Sequence, residues 1–107
     1  MRLVHADAAL VVVDKPAGRH TQPPASRDHD SLLDDVVRAY GKGVRLVHRL
    51  DYDASGLVVF ARRPEVAGRL GKMFESHAVS RTYRALVPVP LEPSAAGTID
   101  LPIATAI

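Results

Sequence analysis

The sequence predicts an α+β domain in which short strands alternate with two amphipathic helices. Two runs of five apolar residues, 9–13 and 57–61, are rich in valine and too short for helices. Two other segments carry apolar residues at helical spacing: Leu32, Leu33, Val36, Val37 and Tyr40, then Val66, Leu70, Met73 and Phe74. Glycine, proline and aspartate gather between these segments, where the chain must turn. With 107 residues, 47% apolar and 24% charged, a single domain over residues 1–107 is expected. At this length folding buries roughly two thirds of the extended chain's surface, enough for one core without metal or disulfide staples.

In chain order, residues 9–13 form a buried strand that ends in the turn Asp14-Lys15-Pro16-Ala17-Gly18. Residues 19–30 show no hydrophobic period and include Pro23 and Pro24, so they form an exposed loop. Ser31 stands where a helix N-cap belongs, with Asp34 in the acidic position of a capping box; that helix stops at Gly41 and Gly43. Residues 44–47 read as a short strand, 48–56 as a polar connection and 57–61 as a second apolar strand. Pro64 opens the second helix, which ends near His77. Arg81, Tyr83, Ala85 and Val87 alternate with their neighbours as in a strand, stopped by Pro88, Pro90 and Pro93. Residues 97–101 are a further strand candidate, and the apolar end at 104–107 lacks a terminating signal.

Composition excludes several chemistries. Without cysteine there is no disulfide framework, thiolate zinc site or catalytic thiol, which is compatible with a cytoplasmic location. The longest apolar run, 8–13, is too short for a membrane span and leads into a charged turn where a signal peptide needs small residues, so no membrane is expected. Charge is uneven. Residues 38–84 hold ten Lys or Arg against four Asp or Glu, whereas the flanking segments are both net acidic. Eleven of the fourteen cations are arginine, whose planar fork suits phosphate, so a nucleic-acid partner and a merely solvated basic face are both compatible with the charge.

The connection 48–57 concentrates ionisable groups between two apolar strands. If extended, it places Arg49, Asp51 and Asp53 on one face, where a cation and a second anion act on the Asp51 carboxylate as a nucleophile or base. Spacing alone favours an Asx turn or helix cap with Arg49 as ion-pair partner. A carboxylate-pair hydrolase built on Asp51 and Asp53 lacks an evident acid partner. The Asp28-His29-Asp30 cluster with His20 has no metal-ligand spacing, so no metal site is expected. Ser55 lacks the first glycine of a nucleophile elbow.

The letters His48-Arg49-Leu50-Asp51-Tyr52-Asp53-Ala54-Ser55-Gly56-Leu57 resemble the HRLDxxTSGL signature of RluA-type pseudouridine synthases, matching seven of its eight specified positions. The departure is Ala54, where the family has a threonine that supports the loop. Val11-Val12-Val13-Asp14-Lys15-Pro16-Ala17-Gly18 resembles the family's early strand-turn motif, and Arg81-Thr82-Tyr83 its later basic-x-Tyr motif. The resemblance implies a mixed, mainly antiparallel sheet with flanking helices, of pseudouridine synthase catalytic-domain type, with the C-terminal part missing. It implies Asp51 as the catalytic aspartate that isomerises uridine, breaking the N1–C1′ bond and forming C5–C1′. That reaction has no net redox change and needs no cofactor.

By the same resemblance, Arg49 keeps Asp51 ionised and fills the gap left by a flipped base, while Tyr83 stacks on the uracil; Asp51 and Tyr83 then share one cavity. His48 and Arg81 join them as substrate-binding residues. Arg62 and Arg63, at a helix start, are expected to reach RNA phosphates beside the site. The implied partner is rRNA or tRNA. Because family members are longer and carry a later basic motif, the chain alone is expected to be weakly active or inactive unless another chain or self-association supplies that part. The reading from a different class is a noncatalytic, truncated relative that acts as an RNA-binding or interaction module.

Overall fold

The computed structural model describes residues 1–24, 30–88 and 96–98. Their elements are β1 (Arg2–Ala6), β2 (Leu10–Lys15), α1 (Leu32–Tyr40), β3 (Arg45–Leu46), β4 (Gly56–Ala61) and α2 (Pro64–Glu75). The strands form one sheet in the order β1-β2-β4-β3, with every neighbouring pair antiparallel. This agrees with the α+β class and mainly antiparallel sheet expected.

The two apolar runs become the two central strands because each is covered on both edges. In β2 burial alternates, so Val11, Val13 and Lys15 share the inward face. They lie opposite Phe60, Val58 and Gly56 of β4. Leu32 and Val36 of α1, with Val44 and Leu50, close over these side chains to complete the core. Burying each such residue stabilises the fold by about 1.5–3 kcal/mol before conformational entropy is charged against it.

α1 begins where the capping chemistry places it. Ser31 Oγ accepts the Asp34 amide at 3.4 Å, and the Asp34 carboxylate accepts the Ser31 amide at 2.9 Å. Gly41, at φ 97°, ends the helix. α2 starts at Pro64 and lies against β3 and β4. Of its predicted stripe, Val66, Leu70 and Phe74 are partly buried and Met73 is exposed, because only one side of this helix is covered.

Two features differ from the sequence expectation. β1 is an additional strand, exposed at every position and without clean alternation; its order comes from pairing with β2 through a turn in which Asp7 Oδ1 accepts the Ala9 and Leu10 amides at 2.8 and 2.9 Å. Conversely, residues 81–87 alternate as a strand should but form none. No described strand lies beside them to take their amides, and Leu86 is fully exposed. The candidate strand 97–101 falls mostly outside the described residues, as do Pro90, Pro93, residues 104–107 and the Asp28-His29 pair.

Candidate active site

Asp51 lies in a tight turn, not on an extended segment. The Ala54 amide donates to the Asp51 carbonyl at 3.0 Å, which closes residues 51–54 into a turn and overturns the expectation that Arg49, Asp51 and Asp53 line up on one face. Residues 15–21 hold that turn from behind. Thr21 Oγ1 donates to the Leu50 carbonyl at 2.6 Å and accepts the Leu50 amide at 3.2 Å. The Gly18 amide donates to the Tyr52 carbonyl at 2.8 Å from a backbone with φ 79°, a conformation that favours glycine.

Lys15 completes the attachment. Strand alternation forces it to the core face after Val11 and Val13, and its ammonium is fully buried. Nζ donates to the carbonyls of Pro16 at 2.9 Å, Arg19 at 2.7 Å and Tyr52 at 3.2 Å, which satisfies its three donors. Burial pushes this ammonium below the usual lysine range, while the charges of Asp53 and Asp51 pull it back up. Lys15 is not among the site residues that the sequence predicts; the signal for it is its place two residues beyond Val13 on a strand of period two.

The turn divides the neighbouring groups between two cavities. Asp51 is exposed and lines a cavity of about 280 Å³ with Arg49, His20, Gln22 and Tyr52. Asp53 instead lines a cleft of about 560 Å³ with His48, Arg81 and Tyr83. Leu50 borders both. Neither of these two cavities holds both Asp51 and Tyr83, and neither holds both Asp51 and Asp53. None of the ion pairs among the described residues includes Arg49 or Asp51; the cation felt from behind is Lys15.

The larger cleft is ordered by stacking. The His48 ring lies 4.4 Å from that of Phe74 at 18°, and its Nε2 accepts the Val59 amide at 3.0 Å. Nε2 is thus unprotonated and the proton is on Nδ1, which is buried without a hydrogen-bond partner. Burial, then the nearby Arg81 charge, lowers the His48 pKa below the usual histidine value. Arg81 Nη2 donates to the Tyr83 hydroxyl at 2.6 Å, and its guanidinium lies 5.8 Å from the Phe74 ring centre. Tyr83 is 58% exposed, so its ring is accessible from solvent.

Arg62 and Arg63 do not stand beside this site. They follow the far end of β4, about 20 Å along the strand from Gly56 at the usual rise per residue. Arg62 donates to the Asp7 carbonyl at 2.7 Å and covers the Tyr40 ring at 5.0 Å, while Arg63 approaches Glu65 at 3.5 Å. Arg19, another cation of the chain, is bound to Asp35 at 2.8 Å and to the Ser31 carbonyl.

The family model described as RNA pseudouridylate synthase matches residues 9–106. Ribosomal large subunit pseudouridine synthase D of Zymomonas mobilis is 35% identical over 97% of this chain and 35% of its own length. The protein of that name from Pseudomonas aeruginosa is 34% identical over 96% of this chain and 33% of its own length. tRNA pseudouridine synthase C of Vibrio cholerae is 31% identical over 96% of this chain and 42% of its own length. Among solved structures, human RNA Pseudouridylate Synthase Domain Containing 4 superposes with a TM-score of 0.58 at 25% identity, covering 72% of this chain and 30% of that one. The chain spans about a third of the length of the first two of these curated relatives. A match that begins just before β2 and runs through the Asp51 turn takes in both the scaffold and the acid it presents, and on that ground the chain belongs to the RNA pseudouridylate synthase family.

Proposed function

We propose that this chain carries the catalytic-aspartate portion of an RNA pseudouridine synthase that acts in the cytoplasm on uridines of rRNA or tRNA. The observation that carries the reading is the position of Asp51: an exposed carboxylate in a cavity, on a turn whose backbone is held by Gly18, Thr21 and Lys15. A reacting carboxylate needs such fixed geometry. It attacks the ribose anomeric carbon or uracil C6, or removes a ribose proton; the N1–C1′ bond opens, C5–C1′ forms, the C5 proton leaves to solvent and N1 takes up a proton, with any bond to the aspartate broken again at the end. Arg49, in the same cavity, and His48, Arg81 and Tyr83, in the cleft beyond Leu50, contact the substrate, Tyr83 through its exposed ring.

That Asp51 lines the smaller of these cavities and Tyr83 the larger favours a second reading, a noncatalytic RNA-binding module that keeps the scaffold alone. Tritium release from RNA labelled at uridine C5 separates the two, measured with the chain alone and with the remaining two thirds of a longer relative added as a separate polypeptide. Release that disappears in Asp51→Asn supports the synthase and, if it needs the added polypeptide, complementation. RNA binding that weakens steeply with salt, is indifferent to Asp51→Asn and yields no tritium in either arrangement selects the module.

A further inference from the structure

We propose that His20 and Tyr52 form a nucleobase-stacking site, a wall of two rings on which an unstacked base of single-stranded RNA lies beside the Asp51 cavity. The inference rests on the RNA reading above and adds a contact to it. The two ring centres are 4.6 Å apart with planes tilted by 45°. They are the two residues that line both the Asp51 cavity of about 280 Å³ and its neighbour of about 350 Å³, which Gly18, Arg19 and Asp30 also border. His20 and Tyr52 therefore stand at the border of two adjoining spaces, each roomy enough for one planar base.

Rigidity and exposure both fit that role. Tyr52 is 48% exposed although it is a large aromatic residue, so part of its surface faces water at this border. Its backbone does not need ordering: the Tyr52 carbonyl already accepts from Gly18 and Lys15. The His20 carbonyl accepts the Leu32 amide at 2.8 Å, which fixes the second ring's segment to the start of α1. An aromatic face held in place attracts any base, because every base offers a π surface, and it loses little side-chain entropy on contact. Isomerisation of uridine requires the target to leave its stack, so neighbouring bases lose a stacking partner at the same moment; a ring wall next to Asp51 replaces that partner.

The test is binding of a short, fluorescein-labelled single-stranded RNA to the 107-residue chain, with an abasic strand of equal length as control. Tyr52→Ala weakens RNA binding about tenfold, Tyr52→Phe stays within about twofold of the parent, and the salt dependence keeps its slope because no phosphate contact is lost. The abasic strand binds parent and Tyr52→Ala alike. The chain has no tryptophan, so Tyr52→Trp supplies the sole indole, whose fluorescence is quenched by RNA and not by the abasic strand. RNA binding by the parent with Tyr52→Ala unchanged, or an unquenched indole in RNA-bound Tyr52→Trp, overturns the stacking site and leaves the RNA reading standing. Absence of RNA binding by the folded parent overturns both.

Discussion

Lys15 Nζ donates to the main-chain carbonyl of Tyr52 at 3.2 Å and so joins the end of β2 to the turn that presents Asp51. Replacement by methionine preserves the volume of the stem and removes the donor from three carbonyls. Lys15→Met is expected to lower the unfolding free energy by about 2 kcal/mol, read from urea denaturation. Faster hydrogen exchange at Gly18 and Ala54 accompanies it, since their amides bond to the two sides of the same turn. An unchanged denaturation midpoint shows that the buried ammonium does not hold the turn.

Ser31 is fully buried and caps α1, so its loss is not repaired by water. Ser31→Ala removes the acceptor for the Asp34 amide and is expected to cost about 1 kcal/mol, visible as a lower thermal midpoint with helical circular dichroism retained at low temperature.

His48 makes stability depend on pH in a defined direction. Its folded pKa lies below the ordinary 6.5, so between the two values the unfolded chain binds a proton that the folded chain refuses. Stability is therefore lost as pH falls through 6.5 toward the folded value, and is regained on returning to neutrality. His48→Gln keeps an acceptor for the Val59 amide and cannot titrate. Denaturation of the two proteins between neutral and mildly acidic pH is expected to show a steeper acid loss in the parent; parallel profiles would exclude His48 as the cause.

Two residues with left-handed backbone give opposite predictions. Gly18 has φ 79°, and Gly18→Ala is expected to destabilise the fold by about 1 kcal/mol while loosening the hydrogen bond to Tyr52. His77 has φ 59° just after α2, where glycine is favoured. His77→Gly is expected to stabilise by about 0.5–1 kcal/mol, measured in the same denaturation experiment.

Local chemistry was sufficient for α1, β2, β4, the start of α2 and the motif around Asp51. Ser31, Asp34 and Gly41 act within a few residues of one another, and the valine runs bury themselves whatever their partner, so these features are written in adjacent letters. Sheet edges and cavities depend instead on residues far apart in the chain. β1 exists because β2 pairs with it, whereas 81–87, with better alternation, has no described strand beside it. The same reason governs the site: the motif names Asp51, but only the long-range bonds from Lys15, Gly18 and Thr21 determine how the turn sits. With that placement Asp51 lines one cavity and Tyr83 another, and Leu50 borders both. A backbone hydrogen bond or a shared wall needs two partners, and a single stretch of sequence specifies one.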